Sequence, residues 1–159
     1  MDKAFWRQLF LFLHVLGAIV ALGFSLTYGL WTARGDREGG ERRVFALRTV
    51  SWIDGRLTTP AYVMQAVTGV ILILLIGTEL LELAWLELGI GLYVLLTVIA
   101  MSRYTPLFRR QIALAERLAA GEQVEADYET AASTARTWGL VVTAITVVIV
   151  FLMVWKPAL

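Results

Sequence analysis

The chain has no cysteine, a single histidine and three prolines. Without cysteine it can form no disulfide, thiolate metal site, iron–sulfur cluster or covalent haem attachment. With His14 as the lone imidazole, no multi-histidine metal site can be built within one copy. Charge is scarce too. Asp, Glu, Lys and Arg make up 17% of residues against 58% hydrophobic, a poorer charge content than a soluble domain carries. Several signatures are also missing: no HExxH, no GxSxG and no phosphate-binding loop. No inverted repeat or broken intramembrane helix suggests a transporter site.

What is present is length and apolarity. The 159 residues suit one domain. Four stretches are long and apolar enough to cross a bilayer: Leu9 to Trp31, Ala61 to Gly77 or on to about Leu83, Ala84 to Ser102 and Trp138 to Trp155. The first exceeds a signal-peptide core and no convincing cleavage site follows, so it reads as a retained span. All six tryptophans fall near predicted span ends, where interfacial belts favour such rings. The fold class expected is therefore all-α: a four-helix transmembrane bundle forming a single domain.

Orientation follows from arginine. Of 14 basic residues, 11 lie in two segments, Arg34 to Arg56 and Arg103 to Arg136. The link between the second and third spans carries Glu79, Glu82 and Glu87 and no basic residue. The positive-inside rule puts both basic segments in the cytoplasm and both termini outside. Lys3 and Arg7 pull the other way and are outnumbered. The expected location is the cytoplasmic (inner) membrane of a bacterium. Anionic lipid headgroups are the simplest partners of these arginines. The segments lack the aromatic interleaving that nucleic-acid binding uses.

Between the spans, Gly35 to Gly40 reads as a turn. Glu41 to Ile53 reads as an interfacial helix with Ala46, Val50, Ile53 and Leu57 on one stripe. Thr59 before Pro60 reads as a helix start, and another helix is expected from Pro106 to Ala120. Val124, Tyr128, Ala131 and Ala135 form an apolar stripe running into the fourth span. Helices three and four should thus project beyond the bilayer as a hairpin.

In lipid, small residues mark helix contacts. Gly17, Ala21, Ser25 and Gly29 recur every four residues on the first span, with His14 on the same face. His14 should point into the bundle. There it is either satisfied by Tyr93, a threonine or a carbonyl, or serves as an axial ligand to haem b or as a proton or metal site. Lys156 is either an interfacial snorkelling residue or a partner of His14 or the outer glutamates. Asp54 is expected to pair with Arg103, with Arg136 competing. Met153 falls near His14, but Met64 and Met101 lie elsewhere, so no methionine copper site forms.

Four strings recur in order: Leu13-His14-Val15-Leu16-Gly17-Ala18-Ile19-Val20, Asp54 with Thr58-Thr59-Pro60, Thr68-Gly69, and Leu152-Met153-Val154-Trp155-Lys156-Pro157. Together they resemble a bacterial family of small integral membrane proteins of unknown function. That resemblance implies four membrane helices and no assigned activity. More remotely, the first span resembles the copper-resistance D proteins and the HemJ-type protoporphyrinogen oxidases, which implies a haem or metal role for His14. The HemJ type also has an intramembrane lysine, and the first three spans here contain none. The readings that follow are a non-enzymatic accessory or assembly subunit, a haem-b-binding or redox-linked protein using His14, and HemJ-like porphyrinogen oxidation. A homodimer or a membrane-complex partner is expected with the first. The orientation is tested at Gly39: a cysteine placed there should escape an impermeant thiol reagent in intact cells. Labelling from outside would reverse the topology.

Overall fold

The computed structural model describes residues 2–157, and among them there are helices and no strands. Six α-helices follow in order: α1 (Lys3–Glu38), α2 (Gly40–Ile53), α3 (Thr59–Ile76), α4 (Ala84–Ile99), α5 (Thr105–Ala119) and α6 (Glu125–Trp155). A π turn over Asp54–Thr58 joins α2 to α3 without a break, and another over Ala100–Tyr104 joins α4 to α5. Four continuous helical runs result, of 36, 37, 36 and 31 residues, each long and apolar enough to cross a membrane. A 36-residue helix is about 54 Å long, against roughly 30 Å of hydrocarbon. All four runs therefore project past one face of the bilayer, where the sequence suggested two.

That projecting part, the head, holds the hydrophobic core. Tyr28 from α1, Val44, Leu47 and Val50 from α2, Phe108, Leu114 and Ala115 from α5, and Val124, Tyr128, Ala131 and Ala132 from α6 form one buried cluster. The predicted stripe of α6 is buried throughout. Helix α2 does not lie flat on the membrane. Its Val44, Ala46, Leu47 and Val50 face inward against α1 and α5, and Leu57 is exposed.

The chain reverses at Gly39 and Gly40, whose φ values are 70° and 49°, a region that glycine enters without strain. Gly35, expected in that turn, is instead buried inside α1. A Cβ there would sit 2.7 Å from that of Ala46, so glycine permits α1 and α2 to touch.

The second span ends at the nearer of its two expected bounds, Gly77 rather than Leu83. α3 stops at Ile76, Gly77 takes φ 144°, and Thr78–Glu82 forms a 3₁₀ turn. α3 does begin at Thr59 and α5 at Thr105, each with proline in its first turn, but neither follows a loop: a π turn carries the preceding helix straight into each. A proline lacks an N–H and its ring strikes the carbonyl four residues back. The π turns relieve this by widening the helix just before each proline: Thr59 N–H bonds Asp54 O, and Thr105 N–H bonds Ala100 O, five residues back in each case.

In the membrane part α1 packs along α3, and α4 along α6. The seam on α1 is His14, Gly17, Ala21, Tyr28 and Gly35. Ser25 is half-buried and Gly29 is exposed, a correction to the four-residue ladder. Steps of four drift about 40° each on a 3.6-residue helix, so by Gly29 the ladder has rotated off the contact and Tyr28 occupies it. Gly89 on α4 receives Met153 of α6, whose Cε would be 2.6 Å from an added Cβ. Met153 is therefore committed to the α4–α6 contact.

These contacts predict a contrast. Gly35→Ala should destabilise the protein by about 1–3 kcal/mol through overpacking. Gly29→Ala, where nothing lies within 4 Å of the new methyl, should be neutral or slightly stabilising. Thermal unfolding in one detergent compares the two, and equal effects would refute the Gly35 packing.

Candidate functional site

Polar groups collect at three levels. The first is inside the membrane, where α1 and α3 meet. His14 Nδ1 lies 2.9 Å from Thr68 Oγ1. The Thr68 hydroxyl has one proton and donates it to Met64 O at 2.6 Å. The imidazole is therefore the donor, carrying its proton on Nδ1, and Nε2 keeps its lone pair. Gly69 makes room for the ring: a Cβ there would come within 3.3 Å of His14 Cε1. Gly17, one turn along, lets Met64 and the Ala61 carbonyl close on α1. His14 points inward, and its partner is Thr68 rather than Tyr93. Tyr93 donates instead to Tyr62 O at 2.7 Å, and the Tyr62 hydroxyl meets Thr146 Oγ1 at 3.2 Å. These tyrosines tie α3 to α4 and α6, where no Cα atoms of the described helices approach within 8 Å.

The second level is the mouth of the head, at the π turns. Tyr28 donates to Asp54 Oδ1 at 3.3 Å and meets Thr58 Oγ1 at 2.6 Å, which makes Thr58 the donor of that pair. Thr59 donates to Asp54 Oδ2 at 3.4 Å. Tyr104 stacks on Phe108 nearby, and Gly139 leaves the space for it. Asp54 thus has hydroxyl partners. Neither Arg103 nor Arg136 lies within 4 Å of it, which corrects the expected ion pair. Arg103 is exposed, and Arg136 reaches Asp36 Oδ2 at 3.9 Å.

The third level is within the head. Asp36 of α1 accepts a short hydrogen bond from Tyr128 and lies 3.5 Å from Arg43 Nε. The Arg43 guanidinium sits 4.4 Å above the Tyr128 ring, a cation–π contact strengthened by burial. Gln111 donates to the Tyr128 hydroxyl at 3.4 Å. Only 13% of the Arg43 side chain is exposed, and its buried Nε has no hydrogen bond of good geometry. This cluster joins α1, α2, α5 and α6. Sequence reasoning missed it, although one signal was there: Arg43 stands at the core-facing spacing of Ala46, Leu47 and Val50.

Lys156 ends α6 in the left-handed region with φ 47°. Its ammonium lies 5.6 Å from the Trp85 ring centre, so a cation–π contact holds it at the far end of the bundle. Among the described residues, no three His, Asp or Glu side chains gather around a point that could hold a metal ion.

The chain belongs to the DUF2269 family, described as predicted integral membrane proteins, whose model matches residues 8–157. No curated protein and no solved structure matches it.

The head cluster carries a pH signature. Burial, together with the Asp36 carboxylate, pushes the Tyr128 hydroxyl up to about 12. A phenol with a raised folded-state pKa stabilises the fold fully below its unfolded value near 10. That stability is lost as pH rises from about 10 to about 12. Stability should therefore fall across this window, and less steeply in Tyr128→Phe. Parallel alkaline curves for the two proteins would count against the cluster.

Proposed function

We propose that this integral membrane protein is a non-enzymatic accessory or assembly subunit of the bacterial inner membrane, with the arginine-rich head in the cytoplasm and both termini outside. The observation behind this reading is how the polar groups are used. His14, Thr68, Tyr62, Tyr93 and Thr146 bond one another or the backbone across helix contacts. Such bonds hold membrane helices together at roughly 0.6–2 kcal/mol each. Asp54, Asp36, Arg43 and Tyr128 do the same in the head. The chain spends its ionisable groups on architecture and offers a rigid helical head to other molecules. The cytoplasmic arginines around it suit anionic headgroups.

A second reading, haem b binding, is favoured by one observation. Nδ1 of His14 is fixed by Thr68, the arrangement in which a histidine presents Nε2 to a metal. A haem iron would take that nitrogen as one axial ligand; the other would come from outside the chain. HemJ-like porphyrinogen oxidation gains no such support, because Lys156 is held at Trp85.

One purification addresses both readings. Tagged protein drawn from its native membrane in mild detergent should bring down a second polypeptide in fixed ratio and show no Soret band. A Soret band that vanishes in His14→Ala would replace the subunit reading with the haem reading. Recovery of this chain alone, without colour, would overturn both.

A further inference from the structure

The outer face of α2 is unusual for a surface in water. Phe45 is 67% exposed and Trp52 61%, seven residues apart on one stripe with Arg48 between them. Together with Glu41, Val44 and Thr49 they line a shallow groove of about 420 Å³. Lipid explains only part of this face. Roughly 20 residues cross the hydrocarbon, so counting back from Ile76 puts its edge near Leu57. Trp52 then lies about 7 Å beyond that edge, at headgroup depth, and Phe45 about 18 Å beyond it. Phe45 therefore stands clear of the bilayer, where lipid does not cover it.

A matching surface exists on α6. Glu125, Glu129, Ser133 and Arg136 rim a cleft of about 270 Å³ with Ala132 in its wall. Asp36 and Arg43 face each other within it. Glu125, Asp127 and Glu129 are exposed and have no basic side chain within 4 Å among the described residues. On balance the two faces complement each other: aromatic side chains with Arg42 and Arg48 beside one carboxylate, Glu41, on α2, and small side chains with Glu125 and Glu129 beside one arginine, Arg136, on α6. Arg42 and Arg48 are 80% and 66% exposed and each uses only part of its guanidinium on Glu38 and Glu116. Both helices start at the head's tip and run toward the membrane, so the faces are parallel and at similar depth.

We infer that α2 of one copy docks on the α6 cleft of a neighbouring copy. The membrane holds every copy at one depth and in one orientation, which already sets the register of the contact. Within a chain the backbone of α2 packs on α1 and α5, and Arg43 reaches over to the Tyr128 ring of α6; the Phe45 and Trp52 face points elsewhere, so the two faces are distinct patches. A contact between distinct patches is head-to-tail and builds a ring or a row rather than a two-fold dimer.

The absence of cysteine makes the test clean. Two differently tagged full-length copies are co-expressed, one with Thr49→Cys and the other with Ser133→Cys, both eight or nine residues from the tip. Oxidation in membranes should give a mixed dimer at least several-fold above either same-site dimer. Arg48→Glu on the first copy should reduce it several-fold, and Glu129→Arg on the second should restore it. A same-site dimer in excess, no mixed dimer, or indifference to charge reversal would each overturn the contact. Cross-linking of Thr49→Cys to a foreign polypeptide alone would also overturn it. That last result would leave the subunit reading standing, because its own test asks for a different polypeptide.

Discussion

The helices are longer than the bilayer is thick, and each must therefore satisfy two solvents along one axis. In the head, water surrounds the bundle, and burial of Leu47, Val50, Phe108 and Leu114 drives the helices together. In the membrane part, lipid is as apolar as the side chains, and that drive is missing. There the helices are joined by close approach at Gly17 and Gly89 and by hydrogen bonds from His14, Tyr62 and Tyr93. The π turns at Asp54–Thr58 and Ala100–Tyr104 stand where one regime gives way to the other. They let each run keep its direction through a proline.

The four spans were legible in the sequence because length and lack of charge decide a membrane helix almost alone. The inward face of His14 and the stripe from Val124 to Ala135 were legible for a similar reason: both are single-helix periodicities. What was not legible depends on partners distant in sequence. Asp54 was assigned an arginine because charge complementarity is visible in a string of letters. Its actual partners, the hydroxyls of Tyr28 and Thr59, depend on where α1 crosses the mouth of α3. Thr59-Pro60 matches the rule for a helix start, and that rule carries no information about a helix already under way. Gly29 fitted a four-residue ladder that a real helix cannot keep facing one way.

The polar groups form two interior belts, the mouth cluster around Asp54 and one exposed face, with different consequences. The belts, His14–Thr68 in the membrane and Asp36–Arg43–Tyr128 in the head, are each closed within the chain. A closed belt fixes how the helices are rotated against each other. The face carrying Phe45, Arg48 and Trp52 is open. In the membrane belt His14 Nε2 keeps a lone pair that the Thr68 contact does not use.

His14, Ala21, Tyr28 and Gly35 are seven residues apart on α1. A seven-residue repeat implies 3.5 residues per turn, slightly below the 3.6 of a straight helix, and such a seam stays seated only if the helix coils left-handed about its neighbours. One strand of that coil touches Thr68 in the membrane, Asp54 at the mouth and Ala46 in the head. α1 is therefore the element that all three polar levels share, and a substitution that shifted its rotation at the imidazole would disturb the side chains at the mouth and in the head as well.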